Sequence, residues 1–164
     1  MSKLIIIRGN SGSGKTTLAK ELQKAIGPNT LVIAQDVIRR EMLSVHDGVG
    51  SEAIQLLQTI IEYGYANNKV TILEGILNAK WYQPLFEKVQ ELYGPENIFA
   101  YYYELPFKET VRRHRTKDER NEFGEAELKR WWNEKDYLEG IEEEILTEEI
   151  EIEEAVKMIM ASIR

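Results

Sequence analysis

A segment near the start of the chain has the residue types and spacing that bind a polyphosphate. Residues 9–16 fit the pattern G-x-x-x-x-G-K-[ST], whose glycines allow a tight turn and bring backbone N–H groups close to phosphate oxygens. The lysine reaches the β- and γ-phosphates, and the threonine hydroxyl binds Mg²⁺. Lys15 is therefore also a candidate catalytic residue, Thr16 is also a candidate metal ligand, and the predicted nucleotide-binding set is Gly9, Asn10, Ser11, Gly12, Ser13, Gly14, Lys15, Thr16 and Thr17.

The flanking sequence supplies the setting that this pattern requires. Residues 4–7 form an apolar run that predicts a strand, and residues 16–26 predict an amphipathic helix. Such a helix directs its positive N-terminal end at a bound anion. The alternative is a flexible Gly/Ser linker that happens to contain a lysine, and it does not account for the strand and the helix on either side.

A second candidate site residue follows the second predicted strand, residues 31–34. Asp36 comes directly after this strand, and Arg39 lies one helical turn later on the same face. We expect Asp36 to accept the proton of an attacking hydroxyl and Arg39 to hold the acceptor or a phosphate oxygen. The alternative is that Asp36 only caps a short helix beginning at Val37.

Glu74 is the corresponding residue of the third predicted strand, residues 70–73. A carboxylate at this strand end is expected to hold Mg²⁺, through water, or to contact the acceptor. The alternative is that Glu74 is an acidic cap of the loop over residues 75–79.

The chain has one dense basic stretch, which follows a predicted helix over residues 107–114. Arginines on a segment between two helices can close over a γ-phosphate and stabilise transition-state charge. We expect this catalytic role for Arg113 and Arg115, and a nucleotide-binding role for Arg120. The alternative is a solvated helix end that pairs with nearby glutamates. The basic residues are Arg112, Arg113, His114, Arg115, Lys117 and Arg120.

The elements that must position these residues alternate between strand and helix. Short apolar strands alternating with helices predict an α/β fold, with a parallel sheet covered by helices on both faces. Further strands are expected at residues 98–103 and 141–146, and helices at 37–43, 51–67, 81–93, 125–137 and 152–163. Ligands of such sheets bind beyond the carboxyl ends of the strands. The functional residues are therefore expected at 9–16, 35–36, 74–75 and 104–106.

Length and composition bound the class of protein. A chain of 164 residues predicts one domain, residues 1–164, with a core of its own. The absence of cysteine excludes disulfides, thiolate catalysis and cysteine-based zinc sites. No apolar run is long enough to span a membrane and no signal-peptide layout is present, so we expect a cytoplasmic protein. The net charge of −7 disfavours nonspecific binding to nucleic acid.

Motifs of other nucleotide-binding classes match poorly. Residues 68–71 lack the aspartate of the guanine-reading N-K-x-D motif, and the D-x-x-G match at residues 47–50 does not follow the strand where that motif belongs. A mechanical ATPase usually needs a longer chain and an apolar strand that ends in acidic residues, which Leu73 and Glu74 match only in part. A nucleotide-binding regulator that transfers no phosphate needs no general base such as Asp36.

The spacing from the glycine-rich loop to Asp36 and Arg39, followed by the basic stretch, resembles small P-loop kinases. The nearest patterns are those of phage-type polynucleotide kinases, zeta-toxin kinases and chloramphenicol phosphotransferases, and residues 70–77 also resemble uridine-kinase-like proteins. The resemblance implies a three-layer P-loop fold with strand order 2-3-1-4-5 and an arginine-rich lid near residues 112–125. It also implies that Asp36 is the base and that Arg39 is an acceptor contact.

The sequence thus favours an ATP- and Mg²⁺-dependent kinase that phosphorylates a hydroxyl of a small molecule, such as a nucleoside, a sugar or an antibiotic. A 5′-hydroxyl polynucleotide kinase is an alternative, which the acidic composition disfavours. A non-catalytic nucleotide-binding regulator is another. No motif indicates an oligomeric state or distinguishes ATP from GTP.

Overall fold

The computed structural model describes residues 1–116 and 123–164, and in them a single five-stranded sheet is present. The strands are β1 (Lys3–Gly9), β2 (Thr30–Ala34), β3 (Val70–Gly75), β4 (Ile98–Tyr103) and β5 (Glu143–Leu146). All neighbouring pairs are parallel, and the order is β2-β3-β1-β4-β5. The predicted fold class and strand order are therefore confirmed.

Helices connect the strands. Glycines end two of them: Gly27 follows the first with a φ of 92°, and Gly94 follows the fourth with a φ of 72°. Among the described residues, no helix is both long and apolar enough to cross a membrane. The helices are α1 (Lys15–Ile26), α2 (Gln35–Val37), α3 (Ala53–Ala66), α4 (Gln83–Tyr93), α5 (Phe107–His114), α6 (Glu125–Arg130) and α7 (Ile152–Ser162).

Strand β1 lies at the centre of the sheet and has an apolar core on each face. Leu4 and Ile6 pack into the core formed with α3 and α4, whereas Ile5 and Ile7 pack into the core formed with α1 and α7. All four side chains are fully buried, and each such burial stabilises the fold by about 1.5–3 kcal/mol. The strand that leads into the glycine-rich loop is thus held by an apolar core on each face.

The helix expected over residues 125–137 is wrong in its length, because α6 ends at Arg130. The next residues are held by contacts that a helix could not make. The main chain of Asn133 is bonded to the side chain of Asn10, Lys135 has a φ of 43°, and Asp136 pairs with the buried Arg8. These tertiary contacts outweigh the local helical preference.

The short helix expected over residues 37–43 begins earlier, at Gln35, and changes type. Residues Ile38–Met42 form a π-helical turn, which is closed by the N–H of Leu43 donating to the carbonyl of Ile38 at 3.0 Å. Such wide turns are rare and are often found at functional sites. This one carries both arginines that contact Asp36.

Candidate active site

The sheet register brings the carboxyl ends of three strands together. Glu74 of β3 pairs with Ala34 of β2 on one side and with Ile7 of β1 on the other. Asp36 follows shortly after Ala34, and Gly9 shortly after Ile7. The strand-end carboxylates and the start of the glycine-rich loop therefore share one edge of the sheet, as predicted from the strand ends.

Glycines of the loop over residues 9–16 are required by close contacts as well as by conformation. Gly12 has a φ of 82°, and a Cβ atom there would lie 2.7 Å from the carbonyl oxygen of Thr110 in α5. Gly9 has a φ of 151°, and its Cβ would lie 2.8 Å from the Cβ of Tyr103. The loop is thus packed tightly between the end of β4 and α5.

Lys15 lies across this loop with its ammonium group inside it. Its Nζ donates to the carbonyl of Asn10 at 2.9 Å and to Oγ of Ser13 at 3.3 Å, and the residue is 7% exposed. The cation, the N–H groups of the loop and the N-terminus of α1 converge on one region. That arrangement is suited to a polyphosphate anion.

Thr16 and Glu74 form an oxygen pair beside Lys15. The hydroxyl of Thr16 donates to Oε1 of Glu74 at 2.9 Å, and Glu74 is 4% exposed. Carboxylate and hydroxyl oxygens are hard ligands of the kind that Mg²⁺ prefers. The carboxylate of Glu74 thus contacts the start of α1, where the sequence predicts the metal site.

Asp36 is bound by two arginines on a single oxygen. Its Oδ1 accepts from Arg39 at 2.8 Å and from Arg40 at 3.2 Å, and neither contact falls on Oδ2. Asp36 lies inside α2 rather than before it, and α2 begins without a side-chain cap. The carboxylate is half-exposed, and both arginines hold it through Oδ1.

Arg39 also anchors the loop over residues 44–50, which we name the acceptor loop because the sequence predicts that it shapes the acceptor pocket together with the helix after it. Its guanidinium donates to the carbonyl of Val45 at 3.2 Å, and its buried Nε has no hydrogen-bond partner among the described residues. A buried donor without a partner is unfavourable unless a ligand satisfies it. Arg39 thus joins the predicted base to the acceptor side.

The arginines of the basic stretch differ in position. Arg113 donates to the carbonyl of Ser13 at 2.6 Å and to Glu109 at 3.0 Å, whereas Arg112 is exposed and pairs with Glu109 only. Hydrogen bonds and charge from both arginines, with that of Arg112 largest, lower the pKa of Glu109 to about 2. Arg115 is exposed at the end of α5. Arg120 and part of the expected lid lie outside the described residues.

Other predicted loop residues have different environments. The buried side chain of Asn10 forms two hydrogen bonds with the main chain of Asn133, donating at 2.8 Å and accepting at 2.7 Å. Ser13 is buried, Ser11 is half-buried, and Thr16 and Thr17 are exposed at the start of α1. Asn10 therefore fixes the segment after α6 on the loop, a contact that the sequence did not predict.

A buried polar chain that reaches the loop over residues 44–50 was not predicted from the sequence. Gln35 donates to the phenol of Tyr82 at 2.8 Å, and Tyr82 donates to Asp47 at 2.6 Å. Burial, assisted by the nearby Asp47, raises the pKa of Tyr82, which stays a neutral donor. The signal in the sequence was a tyrosine in the loop after β3, but its partners lie 35 and 47 residues away.

The strand-end residue Glu104 makes a contact of its own. It accepts a hydrogen bond from the phenol of Tyr137, and this bond raises the pKa of that phenol to about 12. Tyr137 belongs to the segment after α6, so this contact joins that segment to the end of β4. The fourth strand end therefore supports the segment after α6.

The comparisons with solved structures show the same architecture. A gluconokinase from Sinorhizobium meliloti is 16% identical, with a TM-score of 0.67 over 98% of this chain and 91% of that one. An APS kinase from Mycobacterium tuberculosis, solved with AMPPNP and APS, is 16% identical, with a TM-score of 0.70 over 98% and 96%. A tunicamycin resistance protein from Deinococcus radiodurans is 15% identical, with a TM-score of 0.64 over 99% and 96%.

At these identities the likeness shows the fold, and at that level it confirms the resemblance to small P-loop kinases. No curated protein sequence matches the chain. The model of one family, described as an AAA domain, matches residues 4–140 and so spans the loop, Asp36, Glu74 and Arg113. Because this match covers most of the sequence, the chain belongs to the AAA domain family.

Proposed function

We propose that the protein is an ATP-dependent kinase that transfers the γ-phosphoryl group to a hydroxyl of a small molecule. The observation that carries the proposal is Asp36, a carboxylate held by two arginines at the same sheet edge as the phosphate-binding loop. A nucleotide-binding regulator has no need of a base there, whereas phosphoryl transfer to an alcohol uses one. The names of the structural neighbours, which include a gluconokinase and an APS kinase, support this class of reaction.

Each residue then has a defined task. Oδ2 of Asp36 accepts the proton of the acceptor hydroxyl, whose oxygen forms a bond to the γ-phosphorus as the bond to the β-phosphate oxygen breaks. Arg39 holds the acceptor against Asp36. Arg113, which contacts the loop at Ser13, stabilises the negative charge of the transferring group, and Arg115 and Arg120 are further candidates for phosphate contacts.

The residues present fit ATP and Mg²⁺. The loop N–H groups and Lys15 would bind the phosphates, and Thr16 with Glu74 would hold the metal. When bound, Mg²⁺ would supply positive charge that neutralises the phosphates. Among residues 1–116 and 123–164, no group of three or more acidic or histidine side chains is placed to hold a metal alone. A site that shares Mg²⁺ with phosphates and water needs only one or two carboxylates.

The acceptor is proposed to be a small molecule: a nucleoside, a sugar or an antibiotic-like alcohol. The names of three structural neighbours point to gluconate, APS and tunicamycin, and these are the first compounds to test. A polynucleotide acceptor is disfavoured because the chain has a net charge of −7, which repels a phosphate backbone.

The direct test is acceptor-dependent ADP release from Mg·ATP. The panel contains gluconate and other sugars, nucleosides, APS, tunicamycin, chloramphenicol and a 5′-hydroxyl oligonucleotide. We expect one small-molecule class to stimulate ADP release, with the phosphorylated product detected by mass spectrometry. Stimulation by the oligonucleotide alone would favour the polynucleotide alternative. Tight ATP binding without any product across the panel would favour the regulator.

Two variants assign the roles. Lys15→Ala is expected to lose nucleotide binding and turnover together. Asp36→Asn keeps its shape and its arginine neighbours, so it should retain nucleotide binding while kcat falls by about 10²–10⁴-fold, the range for loss of a general base. Full turnover by Asp36→Asn with the identified acceptor would show that Asp36 is not the base.

A further inference from the structure

An aromatic cluster packs beside α6, next to the candidate site. It consists of His114, Phe123 and Trp131. His114 stacks on Phe123 with ring centroids 4.6 Å apart, and its Nε2 lies 2.7 Å from the carbonyl oxygen of Phe123. Phe123 and Trp131 meet edge-to-face at 5.0 Å. The cluster thus joins the last turn of α5 to the end of α6, and none of its members has a task in the proposed transfer.

Arg40 connects this cluster to Asp36. The central carbon of its guanidinium lies 5.9 Å from the ring centre of Phe123 and 5.8 Å from that of Trp131. Its Nε lies 3.2 Å from Oδ1 of Asp36. A planar guanidinium can stack on rings through its face while donating through its edge, which an ammonium cannot do. The same side chain therefore contacts both the cluster and the candidate base.

The two arginines on Asp36 thus lead to different parts of the molecule. Arg39 continues to Val45 in the acceptor loop. Arg40 continues to the cluster, where His114 directly follows Arg113, the arginine that donates to Ser13 of the phosphate-binding loop. Contacts therefore run without a break from Ser13 through α5 and the cluster to Oδ1 of Asp36.

We propose that Arg40 is a positioning residue that sets the orientation of Asp36 from the nucleotide side of the site. The inference rests on the proposed function, in which Asp36 is the base. A half-exposed carboxylate held by Arg39 alone would be fixed only relative to the acceptor loop. With Arg40 in place it is fixed relative to the segment that contacts the phosphate-binding loop as well. Productive transfer depends on that relative placement.

The first test needs no catalysis, because Trp131 reports on its own contact. Trp81→Phe and Trp132→Phe together leave Trp131 as the only tryptophan. In this background we expect Asp36→Asn to change the emission of Trp131, since Arg40 loses its charged partner. The change should be absent when Arg40→Ala is also present. Two results would overturn the proposal. One is that Asp36→Asn changes the emission of Trp131 equally in the protein that carries Arg40→Ala. The other is that Asp36→Asn causes no change in the protein that keeps Arg40.

The chain offers a matched control in Arg130. Its guanidinium carbon also lies 5.8 Å from the ring centre of Trp131, but it belongs to α6, and the ion pairs of Asp36 in the described residues are with Arg39 and Arg40. Arg130→Ala removes the same charge from the same ring. It should leave the response of Trp131 to Asp36→Asn intact. Loss of that response in Arg130→Ala would mean that ring stacking in general, rather than Arg40, carries the effect.

The second test is kinetic and uses the acceptor identified in the panel. Arg40→Ala should lower kcat about tenfold with the KM for ATP unchanged, because the base is misoriented while the phosphate loop is intact. Arg40→Lys should recover only part of the lost kcat. The control Arg130→Ala should keep the wild-type kcat. Equal kcat values for Arg40→Ala and Arg130→Ala would overturn the positioning role. If the wild-type protein phosphorylates no acceptor, the proposed function fails, and the fluorescence comparison still decides the Arg40 contact.

Discussion

At the scale of single residues, neighbours of the same type have different surroundings. Arg112 and Arg113 both pair with Glu109, which lies three and four residues before them on α5. Successive helical residues point about 100° apart, so only Arg113 turns toward the phosphate-binding loop and over the ring of Tyr103. We expected catalytic roles for Arg113 and Arg115, but the density of basic residues in the sequence does not by itself show which arginine contacts the loop.

This difference makes a matched pair of substitutions informative. Arg113→Ala should lower kcat by about 10²–10³-fold, as the loss of a charged group aimed at the transferring phosphoryl does in other enzymes. Arg112→Ala removes an equal charge from an exposed ion pair and should leave kcat within about twofold of the wild type, because such pairs contribute little. Steady-state kinetics with the identified acceptor measure both.

Equal losses in the two variants would show that net charge on α5, rather than the contact of Arg113 with Ser13, is what matters. Normal kcat in both would remove Arg113 from the transition state and leave Arg115 and Arg120 as the remaining candidates. Circular dichroism of each variant checks that α5 still forms.

At the scale of elements, the strands were predictable and the segments between them were only partly so. Short β-branched and aromatic runs mark β1 to β4 wherever they lie, because a buried parallel strand needs apolar side chains on both faces. The end of α6 depends on Asn10, Arg8 and Asp136, which are distant in sequence. Local sequence patterns do not indicate such distant contacts. The helix predicted over residues 125–137 is therefore longer than the helix that forms.

The acceptor loop over residues 44–50 shows the same dependence on distant partners. It is held at Val45 by Arg39 and at Asp47 by Tyr82, whose phenol is fully buried. Neither contact follows from the composition of the loop, which predicts only an irregular segment. The loop is therefore held at two positions by partners that its own sequence does not indicate.

Tyr82→Phe should release this loop without disturbing the nucleotide side. Removal of the hydroxyl leaves Asp47 and Gln35 without their shared partner, which costs about 1–3 kcal/mol. We expect the KM for the acceptor to rise about 3–10-fold while the affinity for ATP is unchanged, since a displaced loop loses part of its contact energy. Initial-rate kinetics varied in each substrate separate the two parameters.

The control is Tyr101→Phe, which makes the same chemical change in another buried tyrosine. Tyr101 lies in β4, in the core formed with α1 and α7, away from the acceptor loop. Its substitution should leave both kinetic parameters unchanged. A rise in the KM for ATP in Tyr82→Phe would mean that the polar chain supports the whole site rather than the acceptor side.

At the scale of the whole molecule, the buried Arg8 joins parts of the chain that are far apart in sequence. It is fully buried at the end of β1 and pairs with Asp136 at 2.8 Å and with Glu143 at 3.0 Å. It also donates to the carbonyl of Leu77, at 3.2 Å from Nε and 3.0 Å from Nη2. A charge in an otherwise apolar strand must find buried partners, so the sequence held a signal here, although not the identity of those partners.

Arg8 therefore stabilises the segments that surround the phosphate-binding loop. It directly precedes Gly9 and connects the start of the phosphate-binding loop to the loop after β3, to the segment after α6 and to β5. Glu143 is 3% exposed and also accepts from the N–H of Leu138 at 2.7 Å. Loss of the cation would leave this carboxylate buried beside an apolar side chain.

Arg8→Met should accordingly lower the free energy of unfolding by about 3–5 kcal/mol, the usual effect of removing one partner from a buried ion pair. Adding Glu143→Gln should recover part of the loss, because the uncompensated charge is removed as well. Lys24→Ala breaks the exposed pair with Glu21 and should cost less than about 1 kcal/mol. Urea unfolding followed by circular dichroism gives all three values.

A stability of Arg8→Met close to that of Lys24→Ala would mean that Asp136 and Glu143 find other partners or water. In that case the architecture of the site would depend on the two apolar cores of β1 rather than on this buried network.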